Sequence, residues 1–270
     1  MLHQPDQIAA RWDGFVEPYE RVFEALTNQF AAPALAALGP LQGLRVLDVA
    51  AGAGGVALMA AAQGAQVVAI DGSPAMVRRI GARARGGVTA LVADGMALGV
   101  VPGVVQGSFD VAISCFGVVL FPDPATGMAE IFRALRPGGR VAVVTWTQPH
   151  RYDLSARLRA AAIAVRGERP FGPLPAQLRF IDPDALTALL TGAGFGAVTV
   201  HTHEAVLTVP DPTALAKQLA FAPGMAATLD EFGPDRASIL AALTNQLIAD
   251  FGDGPALLPA VAHFAVGTRP

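Results

Sequence analysis

Between Leu44 and Trp146 the chain repeats one arrangement: a short apolar run, a turn, a helical stretch, and another apolar run. The runs Leu44–Val49, Gln66–Ile70, Val88–Ala93, Phe109–Ser114 and Arg140–Trp146 are near-continuous in Val, Ile, Leu and Ala rather than alternating with polar residues. Strands of that kind are buried on both faces, which an antiparallel sheet with one wet face does not require. Gly54–Gln63, the stretch opened by Ser73-Pro74, and Ala125–Leu135 read as the crossover helices. A serine cap followed by proline in the first turn is a helix start. Gly95–Gly107 reads as loop and Arg136-Pro137-Gly138-Gly139 as a turn. The pattern predicts an α/β fold, a mostly parallel sheet with helices on both faces.

Outside that block the rhythm changes. In residues 1–43, Trp12, Phe15, Tyr19, Val22, Phe23 and Leu26 recur at spacings of three and four, predicting an amphipathic helical lid that Pro40 and Gly43 end. Residues 44–150 form the α/β core, and 151–270 a C-terminal part of the same domain. There, Ser155–Val165 and the stretch opened by Asp182-Pro183 read as helices, and Ala197–Val209 and Ala260–Thr268 as strands. Between those strands, about 211–255 reads as a helical insertion with a break at Gly233-Pro234. The two late strands predict a sheet whose last strand is antiparallel.

Composition narrows the function classes. With 53% apolar and 15% charged residues the chain is not disordered. One cysteine, Cys115, excludes an intramolecular disulfide framework and a multi-cysteine zinc site. A net charge of −3 argues against nucleic acid as a partner. Residues 49–70 carry no charge, but four glycines and two glutamines divide them into strand, turn, helix and strand rather than a membrane span. The first fifteen residues hold no apolar run of signal-peptide type. The expectation is a cytoplasmic protein acting on a small molecule, with a homodimer as a possible assembly.

The informative turn is Asp48-Val49-Ala50-Ala51-Gly52-Ala53-Gly54-Gly55. A buried strand running into glycines and then a helix brings ligand, backbone and helix N-terminus together. Gly52, Gly54 and Ala57 also satisfy the G-x-G-x-x-A dinucleotide pattern, with Asp71 19 residues beyond Gly52, so the glycines alone leave the ligand open. The acids discriminate. Asp48, Asp71 and Asp94 stand at or near the C-terminal ends of three consecutive strands, where open α/β sheets bind ligands. An acidic rim repels pyrophosphate and suits a nucleoside bearing an ammonium and a sulfonium. Asp71 could accept two ribose hydroxyls, and Asp94 an exocyclic amine.

On these residues the chain resembles the class I S-adenosylmethionine-dependent methyltransferases, of the ubiquinone/menaquinone-biosynthesis-like small-molecule group. Asp48, Gly52 and Gly54 match the family's first motif, and Ala50 stands where the family more often has a glycine. Asp71, with Gly72 and Ser73, matches the ribose-binding acid, and Asp94-Gly95-Met96 the adenine segment. Phe109–Ser114 matches the fourth strand, whose end, at Ser114, lies against the methionine part of the cofactor, and Leu135–Gly139 matches the turn before the fifth. The resemblance covers Leu44–Trp146 and implies a Rossmann-like class I methyltransferase fold with an antiparallel final strand. It implies S-adenosyl-L-methionine as cofactor and S-adenosyl-L-homocysteine as product. No metal is expected, since the sequence holds no H-x-x-x-H, C-x-x-C or acidic metal box.

Methyl transfer from a sulfonium is an in-line displacement, so positioning supplies much of the rate, and a base is needed only where the acceptor loses a proton. His150, after the fifth strand, and Tyr19, on the N-terminal helix beside Trp12, are the catalytic candidates. His201 and His203 share a strand face but lack a third metal ligand. Cys115 reads as a buried structural thiol. Phe116, Phe121, Trp146, Phe171, Phe180, Phe221 and Phe232 are candidates for an apolar acceptor pocket, with specificity expected in the 211–255 insertion. The reading is O- or C-methylation of a small apolar or aromatic molecule. A cofactor-bound protein of the same fold that transfers no methyl is the alternative, and an NAD(P)-dependent oxidoreductase the third.

Overall fold

The structure is a computed structural model and describes residues 4–168, 175–219, 228–230, 232–252 and 254–270. Seven strands form one sheet: β1 (Arg45–Val49), β2 (Gln66–Asp71), β3 (Val88–Val92), β4 (Phe109–Cys115), β5 (Leu135–Trp146), β6 (Gly196–Val209) and β7 (Ala256–Thr268). Their order is β3-β2-β1-β4-β5-β7-β6. The first five are parallel, whereas β7 runs antiparallel between β5 and β6. Chain order therefore reverses between β1 and β4, and that switch leaves a crevice beyond their C-terminal ends.

The helices are α1 (Glu24–Ala37), α2 (Gly55–Ala62), α3 (Pro74–Arg83), α4 (Pro124–Ala134), α5 (Asp153–Arg166), α6 (Pro183–Gly192), α7 (Pro212–Leu219) and α8 (Arg236–Phe251). Successive strand residues point to opposite faces. Val46 accordingly joins the core under α1, α2, α5 and α8, and Leu47 the core under α4 and α6. Ser73 caps α3 by accepting from the Met76 N–H at 3.2 Å, and Asp182 caps α6 by accepting from the Asp184 N–H at 2.9 Å.

Two expectations change. The N-terminal region is not one amphipathic helix: it runs as 3-10 segments Pro5–Gln7 and Ala9–Phe15, an α-turn Val16–Pro18, a π-turn Tyr19–Phe23, and only then α1. Pro18 has no N–H to give to a regular ladder, and the register shifts through the π-turn. The turn Arg136–Gly139 is a bulge within β5, where the pairing jumps from Phe109 opposite Leu135 to Val111 opposite Arg140. It is pinned by Arg269, which accepts from the Gly138 N–H and donates to the Gly139 carbonyl, each at 2.8 Å. Among the described residues no helix is long and apolar enough to cross a membrane.

Candidate active site

A cavity of about 530 Å³ opens at the strand-order switch, within the usual range for small-molecule sites. One wall is the strand ends: Ala50 and Gly52 after β1, Asp71 and Gly72 at β2, and Asp94 to Met96 after β3. The N-terminal segment adds Asp6, Ala9, Trp12 and Tyr19, with Ala9 lying against Gly72 and Tyr19 against Gly52. Phe116, Trp146 and Tyr152 add an aromatic part to the lining.

Both chain reversals that shape the floor are left-handed at residues with side chains. Ala50 has φ +58° and so does Phe116. Such residues are uncommon and cluster at functional sites. They sit against Gly117: a Cβ there would fall 2.4 Å from the Ala50 Cβ, so the close approach of the β1 and β4 ends depends on a glycine.

Asp71 is positioned from both sides. Its Oδ2 accepts from the Gly52 N–H and its Oδ1 from the Ser73 N–H, each at 2.8 Å. A carboxylate offers about four acceptor positions, so each oxygen keeps one for a ligand. Burial raises its pKa to about 6, the Ser73 and Gly52 amides pull it down, and the Asp13 charge adds to the rise. Asp94 is exposed at the mouth, and its Oδ1 accepts from the Met96 N–H at 2.8 Å.

Several residues placed at the ligand by sequence do not line the cavity. Asp48 does not line the cavity: it is buried under the turn, in a small recess with Asn28. Among the described residues neither its Oδ2 nor the Asn28 Oδ1 has a hydrogen-bond partner. Burial first, then the charge of Asp71, lifts the Asp48 pKa to about 7, against the Ala57 N–H. Gly54, at φ +93°, starts α2 and packs where a Cβ would meet the Ile80 Cγ1 at 2.9 Å. Ser73 is the fully buried α3 cap. The Ser114 hydroxyl, also fully buried, donates to the Val49 carbonyl and accepts from the Val118 N–H, each at 2.8 Å, tying β4 to β1. The strand pattern gives a residue's place along the chain but not its side, and these four face inward.

The catalytic candidates separate likewise. His150 is exposed on the 3-10 turn Pro149–Arg151 and is not among the cavity residues, although Pro149 and Tyr152 are. With three residues per turn, positions i and i+3 share a face and i+1 points elsewhere. Tyr19 does line the cavity, 3.3 Å from the Thr27 Oγ1, with its ring edge-on to Trp12 at 6.3 Å. Burial pushes its phenol well above the ordinary value, so it is neutral at pH 7. Cys115 also lines the cavity, half-buried, its thiol donating to the Thr27 carbonyl.

Of the aromatic candidates, Phe116, Phe121 and Trp146 reach the cavity. Phe180 and Phe232 pack in the cores, and Phe171 and Phe221 lie outside the described residues. The sequence reading missed Tyr152. Its ring stacks on Trp146 at 4.8 Å, Trp146 stacks on Phe116 at 4.3 Å, and the buried Tyr152 hydroxyl has no partner among the described residues. Its i+3 spacing from Pro149 on a short turn is the signal available in the chain. No described residue between 211 and 255 lines the cavity. His201 stacks on Phe264 and His203 stands edge-on to Phe30. No group of three His, Cys, Asp or Glu able to hold a metal ion occurs among the described residues.

The donor set fits an adenosine-type ligand: two carboxylates at adjacent strand ends, an exposed main chain, and, among the described residues, no basic side chain lining the cavity to hold a phosphate. Residues 46–139 match the model of a methyltransferase domain family. An uncharacterised protein of Mycobacterium tuberculosis is 36% identical over 143 residues, covering 48% of this chain and 51% of that protein. A demethylmenaquinone methyltransferase of Renibacterium salmoninarum is 32% identical over 150 residues, covering 54% of this chain and 61% of that enzyme. The chain thus spans about half the length of the first of these curated relatives. A Thermotoga maritima structure described as a SAM-dependent methyltransferase, possible histamine N-methyltransferase, superposes with a TM-score of 0.57. It is 17% identical and covers 97% of this chain and 100% of its own.

Proposed function

We propose that this chain is a class I S-adenosylmethionine-dependent methyltransferase, a reading that its central domain and its fold support, and that it methylates oxygen or carbon of a small apolar or aromatic molecule. The observation that carries the reading is the division of one cavity into two chemistries. Asp71 and Asp94 line it at the strand ends, and Phe116, Trp146 and Tyr152 line it as a ring stack. Bound S-adenosylmethionine supplies an activated methyl group on a positively charged sulfur.

The chain's own residues do the rest. Asp71 accepts from ribose hydroxyls and Asp94 from the adenine amine, while Gly52, Gly72, Gly95 and Met96 bring the main chain against the nucleoside. Ala50 marks the end nearest the reacting centre. Tyr19, neutral and bonded to Thr27, positions rather than deprotonates. The aromatic stack holds a planar acceptor and excludes water, which shortens the approach and orients it. Residues 4–23 act as the lid that closes this space. The demethylmenaquinone methyltransferase relative makes a quinone-like acceptor the first to test.

Calorimetric titration with S-adenosylhomocysteine and with NAD tests the cofactor, and detection of S-adenosylhomocysteine formed from S-adenosylmethionine and a panel of aromatic acceptors tests the reaction. Binding of NAD alone would return the chain to the oxidoreductases. Cofactor binding with turnover of no acceptor would favour a protein of this fold that transfers no methyl.

A further inference from the structure

The N-terminal segment crosses the strand ends in a definite order. Tyr19 lies against Gly52 after β1, its ring 3.5 Å from where a Cβ on that glycine would stand. Asp13 accepts from the Ser73 hydroxyl at 2.6 Å and from the Ala75 N–H at 3.0 Å, at the start of α3. The Ala9 Cβ stands 2.8 Å from the corresponding position on Gly72, which follows β2. The Gln7 Nε2 donates to the Phe121 carbonyl at 3.4 Å, and the Phe121 ring fills the space that a Cβ on Gly95 would need. From Tyr19 back to Gln7 the segment therefore passes the β1 turn, then the Asp71 loop, then the Asp94–Met96 loop. Asp6, one residue before Gln7, ends that path on the side of the loop assigned to adenine.

Asp6 lines the cavity, is only 2% exposed, and has no hydrogen-bond partner for either carboxylate oxygen among the described residues. Its main chain is fixed, since the Trp12 Nε1 donates to its carbonyl at 3.1 Å and the Ala176 N–H donates to the Gln4 Oε1 at 2.6 Å. The nearby cation, Arg179, spends its guanidinium on the carbonyls of Ala176, Val119 and Phe121. Burial holds the Asp6 carboxyl above the usual carboxylate value, against the pull of the Gln177 amide and the Arg179 charge. A buried carboxyl without hydrogen bonds costs stability that a donor on a ligand would recover.

We infer that Asp6 reads the adenine of the cofactor from the lid side, accepting a hydrogen bond from its exocyclic amine. The inference rests on the methyltransferase reading and adds a specificity-determining residue that lies outside the sheet. An adenine amine carries two N–H groups. Asp94 takes one from the strand end and Asp6 the other, so the base is held between the sheet and the segment that covers it. The lid gains this bond only from a purine that carries the amine.

Calorimetric titration of the whole chain with S-adenosylhomocysteine, and with its analogue holding purine riboside in place of adenosine, tests the assignment, because the analogue lacks only the amine. Asp6→Ala should weaken S-adenosylhomocysteine about 10- to 100-fold and the analogue by less than about threefold. Asp6→Asn, which retains an accepting oxygen, should fall between. Asp13→Ala loosens the same segment without touching the base, and should weaken both ligands by one common factor. The inference is overturned if Asp6→Ala weakens both ligands alike, if it weakens neither, or if the unaltered protein binds the two equally. Discrimination that survives Asp6→Ala sinks the inference alone. Absence of S-adenosylhomocysteine binding to the unaltered protein sinks the methyltransferase reading and the inference with it.

Discussion

Asp71 carries two loads, and its variants separate them. Its oxygens hold the Gly52 and Ser73 amides as well as the ribose hydroxyls proposed for them. Asp71→Ala leaves both amides without that acceptor, so cofactor affinity should fall about 10- to 100-fold with a loss of stability beside it. Asp71→Asn should retain one accepting oxygen and show a smaller fall. Asp110 is the control at the other end of the sheet, where it accepts from the Arg45 N–H at 2.8 Å and the Arg136 Nε at 2.6 Å. Its loss should lower stability and leave calorimetric cofactor affinity intact. Because the Asp71 pKa is about 6, S-adenosylhomocysteine affinity should drop as pH falls from 7 to 5. An affinity flat over that interval would remove Asp71 from ribose binding. Asp48 gives a stability counterpart. Its folded pKa, about 7, stands above the ordinary 3.8, so the native state holds its proton more tightly. The corresponding stability is complete below about pH 4 and is lost as pH rises to about 7. Asp48→Asn removes that loss, and its amide could donate to the unpartnered Asn28 Oδ1. The melting temperature of the variant relative to the unaltered, ligand-free protein should therefore rise between pH 4 and pH 8. A constant difference would refute the assignment.

At the scale of elements, the N-terminal segment is fastened to α3 by polar contacts rather than by a continuous apolar stripe. The Asp13 Oδ1 accepts from the Ser73 hydroxyl at 2.6 Å and the Ala75 N–H at 3.0 Å, joining the N-terminus of α3, where negative charge is favoured. Glu20 takes the Arg79 fork at 2.7 Å on each arm. Deeper in, Glu24 takes Arg83, whose Nη1 also donates to the Ala53 carbonyl in the glycine turn. The outer two contacts are exposed enough to be screened by salt. Asp13→Ala combined with Glu20→Gln should speed limited proteolysis within residues 4–23 and leave the core fragment intact. Added S-adenosylhomocysteine should restore much of the protection if the segment closes over the ligand. Unchanged cleavage in the double variant would show that the aromatic contacts of Trp12, Phe15 and Tyr19 hold the segment without the latch.

Across the whole molecule the cavity joins parts distant in sequence: residues 6–27, the ends of β1 to β4, and the turn after β5. A ligand that bridges them stabilises the folded state as a unit. At 100 times its dissociation constant, S-adenosylhomocysteine should add about 2.7 kcal/mol, which for a domain of this size raises the melting temperature by roughly 5–10 °C. NAD at the same concentration should give no shift, and a chelator should leave the S-adenosylhomocysteine shift in place. Stabilisation by NAD, or a shift abolished by chelation, would contradict the proposed ligand chemistry.

The fold was legible because its determinants are local and periodic. Apolar runs long enough only for strands, a glycine turn, and helix starts at Ser73-Pro74 and Asp182-Pro183 specify a parallel α/β sheet, and the paired late strands specify its antiparallel edge. The same pattern placed Asp71 and Asp94 at and just beyond the ends of β2 and β3, where both line the cavity, because strand ends are positions along the chain. It could not tell Asp48, Gly54, Ser73 and Ser114 from ligand-facing residues, since the side on which a turn residue points depends on packing against α2, α3 and β4. Nor could it find Tyr152 or Asp6. Each reaches the cavity only when segments more than one hundred residues apart are brought together, and what marks it there, a buried polar atom without a partner, exists only in the folded chain.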